Sequence, residues 1–195
     1  GDETSLKSTI NVDHGRPYLS AAKKNADESL SEDTLRALAE RYPLGIAPEG
    51  TRFITVQVDI QGNRFVVQLD AWLPELERYL IDRFEIVLPP EDAPGGARDK
   101  AGNAARSLDP GRYFEDWAVL PPLLERVIPV RGTSYGLKPV AQIVDSKGRA
   151  GVTANAYRFL RQQKAAGLGN RVFLANGQGG LNRDRARYGA PEKIL

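Results

Sequence analysis

The stretch from Phe53 to Pro89 leaves this chain little choice of architecture. Ile54, Val56, Val58 and Ile60 alternate with Thr55, Gln57 and Asp59. A period of two built on β-branched residues is a strand with one apolar and one polar face. Gln61-Gly62-Asn63 supplies a tight turn, so Phe53–Gln61 and Arg64–Leu73 are predicted to form a hairpin. Tyr79–Leu88 has the length and composition of a third strand. The polar row of the first strand ends on a carboxylate, Asp59.

Composition narrows the chemistry. The chain has no cysteine, which excludes disulfide frameworks and thiolate metal sites. It also has no methionine, not even at position 1, so we expect a piece of a longer protein. No signal peptide is visible, and no apolar run approaches the ~18 residues of a membrane span. A net charge of +2 is too small to imply a polyanionic partner by itself, but its distribution is uneven. From Lys147 to Leu195 there are ten Lys or Arg against two acids, Asp184 and Glu192. Such a third of the chain could follow a phosphate backbone; the blander alternative is a solvated surface.

Residues 1–44 are predicted to be a connecting arm and a short helix, and residues 45–195 the main domain. Gly1–Leu30 has little periodicity. The single histidine, His14, has no second ligand in sight and reads as a turn residue. Ser31 caps the short helix, Leu35, Leu38, Ala39 and Tyr42 give it one apolar stripe, and Pro43 ends it. Pro89–Gly111 is rich in proline, glycine and charge and is expected to be a long, mobile surface loop. No G-x-x-x-x-G-K-[ST] occurs, so there is no nucleotide-triphosphatase P-loop of that pattern. Tyr113–Val127 is predicted to be helical in two pieces, Tyr113–Leu120 and Pro122–Val127. Arg131–Lys138 reads as a turn-rich connector. Pro139–Asp145 is predicted to be a buried strand, Val152 to about Ala166 a helix stopped by Gly167, and Arg171–Ala175 a last strand. The expected fold class is therefore α/β: a mixed sheet of three antiparallel strands, then helix, strand, helix, strand. The fourth strand should lie parallel to the first.

In that order Asp59 and Asp145 stand on neighbouring strands about 4.8 Å apart. Two carboxylates so placed could share Mg²⁺ or Mn²⁺, which prefer oxygen ligands and keep positions for water and substrate phosphate. A pair of such ions would activate a water and stabilise a leaving oxygen. Asp82 is the best third acid in the chain, with Asp70 behind it. Lys147, Arg149, Arg183, Arg185 and Arg187 are candidates for phosphate contact. Each acid also has a simpler reading as a turn cap, Asp145 before Ser-Lys-Gly above all.

Several separate blocks carry a family resemblance. PLGIAPEGTRFITVQVDIQGNRFVVQLDAW, ERYLIDRFEI and IVDSKGRAGVTANAYRFLR resemble the C-terminal nuclease region of the large terminase subunit of lambda-type tailed bacteriophages. The segment KSTINVDHGRPYL resembles the connection from motor to nuclease in that family. The resemblance implies a ribonuclease-H-like fold and a metal-dependent endonuclease that cuts concatemeric double-stranded viral DNA. It also implies, as partners, the terminase ATPase domain, the small terminase subunit and the portal or procapsid, in the host cytoplasm. On the resemblance, Asp59 is the first-strand acid of the V-D-x-Q block. Asp145 is the acid of the D-[ST]-G-G block, which reads Asp145-Ser146-Lys147-Gly148 with lysine for the first glycine. The family continues past the point where this chain ends, with a further acid, so the domain is expected to be C-terminally incomplete. A different class of reading is a non-catalytic DNA-guiding or procapsid-docking module of prophage origin. A resolvase-like nuclease of the same fold is a third.

Overall fold

The structure, a computed structural model, describes residues 43–177 together with Asp33, Arg36 and Ala37. The chain divides into two units, Gly1–Tyr42 and Pro43–Leu195. In the first, Asp33, Arg36 and Ala37 are helical and exposed, within the helix expected to begin at Ser31. The rest of that arm, His14 included, lies outside the described residues.

The second unit is built on a five-stranded mixed sheet. Strands β1 (Phe53–Ile60), β2 (Phe65–Trp72) and β3 (Arg78–Ile86) form an antiparallel meander. A small hairpin follows, β4 (Ile128–Pro129) with β5 (Gly136–Leu137). Then come β6 (Ala141–Asp145), helix α1 (Val152–Ala165) and β7 (Val172–Ala175). The order across the sheet is β3-β2-β1-β6-β7, with β6 parallel to β1 and β7 parallel to β6. The alternation in β1 does what the pattern requires: Ile54, Val56, Val58 and Ile60 are buried with Phe65, Val67, Leu69 and Ala71 of β2. Trp117 closes this face. Its ring meets Phe65 edge-on at 5.7 Å and Phe159 of α1 at 5.5 Å. Its indole N–H donates to the Pro110 carbonyl at 3.0 Å.

Two expectations need correction. The segment expected as two helical pieces, Tyr113–Leu120 and Pro122–Val127, forms only 3-10 turns at Phe114–Val119 and Pro121–Glu125, so no α-helix separates the third strand from the fourth. Pro121 and Pro122 supply no amide donors, and the stretches between prolines are too short to repay α-helix nucleation. The connector Arg131–Lys138 contains β5, whose two-residue pairing is too short to leave a periodic signature.

The loop expected to be mobile, Pro89–Gly111, is tied down along its length. Arg98 donates to the Gly96 and Pro89 carbonyls, and the Leu108 N–H donates to the Val87 carbonyl. Arg106 donates to the Pro94 carbonyl and meets Asp116 through two hydrogen bonds, at 2.8 and 2.7 Å. Asp116 is fully buried and also accepts the Asp109 N–H at 2.7 Å. The carboxylate holds the Arg106 guanidinium above its ordinary pKa, first through these hydrogen bonds. The guanidinium also lies 3.8 Å from the centre of the Tyr113 ring.

Removing one partner of a buried pair strands the other. Asp116→Ala should therefore lower the free energy of unfolding by about 3 kcal/mol, measured by urea denaturation of the chain. A loss within ~0.5 kcal/mol, the range of an ordinary surface substitution, would show that the pair does not hold the loop.

Candidate functional site

β1 and β6 run parallel in the register Thr55 with Ala141 through Val58 with Val144. Asp59 and Asp145 each follow directly on that last pair. Val58 and Val144 are buried on the core face, so both carboxylates stand on the opposite face, at the C-terminal end of their strands. On one side Asp59 pairs with Val66, which pairs with Glu85, and on the other Asp145 pairs with Ala175. Asp59 is exposed and Asp145 half-buried.

Each acid is oriented locally. The Gln61 side-chain amide donates to Asp59 Oδ2, a role that the turn position of Gln61 did not reveal in the sequence. Asp145 Oδ1 accepts the Lys147 N–H at 3.1 Å, so the turn-capping role is present as well. Beyond it the loop is clasped. The Ser146 hydroxyl donates to the Ala175 carbonyl at 2.8 Å, and Thr153 of α1 donates to the Ser146 carbonyl at 2.9 Å. Lys147 is absent from the positive-φ residues, so lysine in place of glycine needs no left-handed backbone.

The far side of this loop is fastened to the end of the Pro89–Gly111 segment. Asn155 donates to the Pro110 and Gly111 carbonyls at 2.8 and 3.2 Å, and Arg149 pairs with Asp109. Gly111 and Gly151 pass so close that a Cβ on Gly151 would lie 2.2 Å from the Gly111 oxygen. Gly151 also has a φ of 87°, where a side chain is strained in any case.

The other site candidates are placed differently. Asp82 is opposite Leu69, on the core face, with its carboxylate 2.8 Å from Arg126. The cause is a bulge between its partners Leu69 and Asp70, which leaves Ile81 unpaired and turns the rest of β3 over. Asp82 therefore does not join Asp59 and Asp145. Asp70 shares their face but sits opposite Thr55, four residues back along β1. It is buried and accepts from Gln68 at 3.1 Å, with Arg78 3.8 Å away. Arg149 is engaged by Asp109. Arg183, Arg185 and Arg187 lie outside the described residues. Among the described residues no three Asp, Glu or His gather as a metal-binding group. No helix among them is long and apolar enough to cross a membrane.

A model of the family "Terminase large subunit gpA, endonuclease domain" matches residues 1–194. The chain belongs to this family. That assigns it broadly to the nuclease part of a DNA-packaging enzyme and agrees with the family resemblance of its sequence. Searches of curated proteins and of solved structures find no match.

Gly151 and Gly167 both have positive φ, but a Cβ on Gly167 would meet nothing within 4 Å. Gly167→Ala should cost about 1 kcal/mol from backbone strain alone. Gly151→Ala adds a backbone clash and should cost at least about 2 kcal/mol more. Thermal denaturation of the two variants side by side measures the difference; equal losses would mean that the Gly111–Gly151 approach carries no weight.

Proposed function

We propose that the chain is a metal-dependent endodeoxyribonuclease domain, with Asp59 and Asp145 as the ligands of its ion and a ribonuclease-H-like sheet as their frame. The observation that supports this most is the register: two strands far apart in sequence carry the two carboxylates directly after their last pair, to one face and one end of the sheet. The strand order β3-β2-β1-β6-β7, antiparallel on one side of β1 and parallel on the other, fits such a frame.

The donor set fits Mg²⁺ or Mn²⁺. Both side chains offer only oxygen, they lie on adjacent strands, and Asp59 faces solvent where a phosphate can approach. A bound ion would stabilise charge at the scissile phosphate and lower the pKa of a bound water. The chain's own residues hold that arrangement. Gln61 occupies Asp59 Oδ2 and leaves Oδ1 for a ligand. The Lys147 N–H occupies Asp145 Oδ1 and leaves Oδ2. The clasp of Ser146 and Thr153 fixes the loop, so the carboxylates keep their spacing without rearrangement on binding. A two-ion form of the reaction calls for a further acid that the described residues do not supply beside this pair. The substrate in this reading is concatemeric double-stranded viral DNA in the host cytoplasm. The partners are the packaging ATPase domain, the small terminase subunit and the portal of the procapsid.

Cleavage of plasmid DNA with Mn²⁺ tests the reading. The wild-type chain should cut, and EDTA should stop it. Asp59→Asn and Asp145→Asn should each lower the rate about a thousandfold, equivalent to ~4 kcal/mol of transition-state stabilisation. Asp82→Asn, on the other face, should leave the rate within about twofold, since it loosens the ion pair with Arg126 and touches neither acid. A folded wild-type chain that never cuts would favour the DNA-guiding or procapsid-docking alternative instead.

A further inference from the structure

Helix α1 carries a cationic stripe that the acid pair does not use. Its sequence, VTANAYRFLRQQKA, contains Arg158, Arg161 and Lys164 and no acid. No Asp or Glu occurs anywhere between Asp145 and Asp184. Val152, Ala156, Phe159 and Gln163 are the buried residues of the helix, while Arg158, Arg161 and Lys164 are exposed. At about 100° per residue the three cations span an arc of roughly 120°, centred opposite the buried stripe. They extend over about 9 Å of helix axis.

Nothing among the described residues neutralises them. The Arg158 guanidinium stacks 3.9 Å from the centre of the Phe114 ring, a cation–π contact that steadies the head without cancelling its charge. Arg161 and Lys164 form no ion pair with any described carboxylate, although Arg64, Arg106, Arg126, Lys138, Arg149 and Arg171 all do. Like charges spaced i, i+3 on a helix are destabilising, and here two such pairs follow one another. An external polyanion relieves that repulsion.

We propose that the outer face of α1 binds the phosphate backbone of duplex DNA, with Arg161 and Lys164 as direct contacts and Arg158 held at its edge by Phe114. This deepens the nuclease reading and rests on its DNA substrate. The connection is short: α1 begins seven residues after Asp145, and its first turn is hydrogen-bonded to the Asp145 loop through Thr153. α1 covers the core face of the sheet through Phe159 and Trp117, so the stripe looks away from the acid pair and holds a stretch of duplex apart from the one at the carboxylates. The contacts are electrostatic and carry no base readout, so binding along α1 is independent of sequence.

The test is the salt dependence of binding to a random-sequence duplex, measured in EDTA so that cleavage plays no part. The pair Arg161→Gln and Lys164→Gln keeps good helix formers and removes two charges. Each phosphate contact contributes about 0.9 to the slope of log K against log salt. The double variant should bind more weakly, with a slope shallower by about 1.8. Arg52→Gln with Lys100→Gln removes the same charge from exposed positions elsewhere and should leave the slope unchanged. An unchanged slope for the α1 variant, an equal change in both variants, or no duplex binding by the wild-type chain would each overturn the proposal. Binding that depends on α1 in a chain that never cuts would overturn the nuclease reading alone, and cutting with an unaltered α1 slope would overturn this proposal alone.

Discussion

The parallel pairing of β1 with β6 is the contact on which the rest of the molecule depends. β1 and β2 are joined by a tight turn and can pair with little loss of chain entropy, but β6 reaches β1 only after some eighty residues have been ordered. Once that pairing forms, β7 has an edge to join, α1 has a sheet to cover, and two carboxylates that are remote in sequence come to the same end of adjacent strands. The hydrogen-bond ladder fixes their alignment, because a slip by one residue would turn one acid into the core. The same ladder that stabilises the sheet therefore defines the proposed site.

A second layer of interactions steadies what the ladder aligns. Trp117 joins β2, α1 and the Pro110 loop through its two ring contacts and one hydrogen bond. Asn155 reaches the same Pro110 carbonyl from the helix. The paired glycines at 111 and 151 let the two backbones meet. The loop after Asp145 is thus held from the sheet by Ser146, from the helix by Thr153 and from the long loop by Arg149. In the proposed reading, where the two carboxylates hold an ion, such preorganisation matters because a ligand that has to be ordered on binding loses affinity.

Much of this was legible in the sequence, and the failures have definite causes. The alternation in Phe53–Ile60 announced β1 and its buried face, and the Gln61-Gly62-Asn63 turn announced its partner. The apolar run before Asp145 and the acid-free helix after it were equally clear. Around Trp117 the apolar spacing looked helical, but prolines on either side cut the segment into lengths that close only as 3-10 turns. The β4–β5 pair is two residues long and has no period to detect. Asp82 shows a subtler limit. Simple alternation would put it on the face of Leu80 and Asp70, and a single unpaired residue, Ile81, reverses that. Nor could the sequence show that Gln61 reaches back to Asp59, because that contact depends on how the strand ends. The loop from Pro89 to Gly111 had the composition of a long, mobile surface loop, yet its arginines find carbonyls and a buried carboxylate and so become its internal ties.

That loop divides its labour between stem and tip. Arg98, Arg106 and Leu108 fasten the stem, while Asp99 folds the tip back on itself by accepting the Ala101 and Asn103 N–H groups at 2.9 Å each. Gly102 at the apex has open space where a side chain would stand. The tip is a self-contained knot on a fixed base. The tip's hydrogen bonds close on Asp99 and do not use the exposed Lys100 side chain, which makes that lysine the natural place to attach a reporter for watching the domain at work.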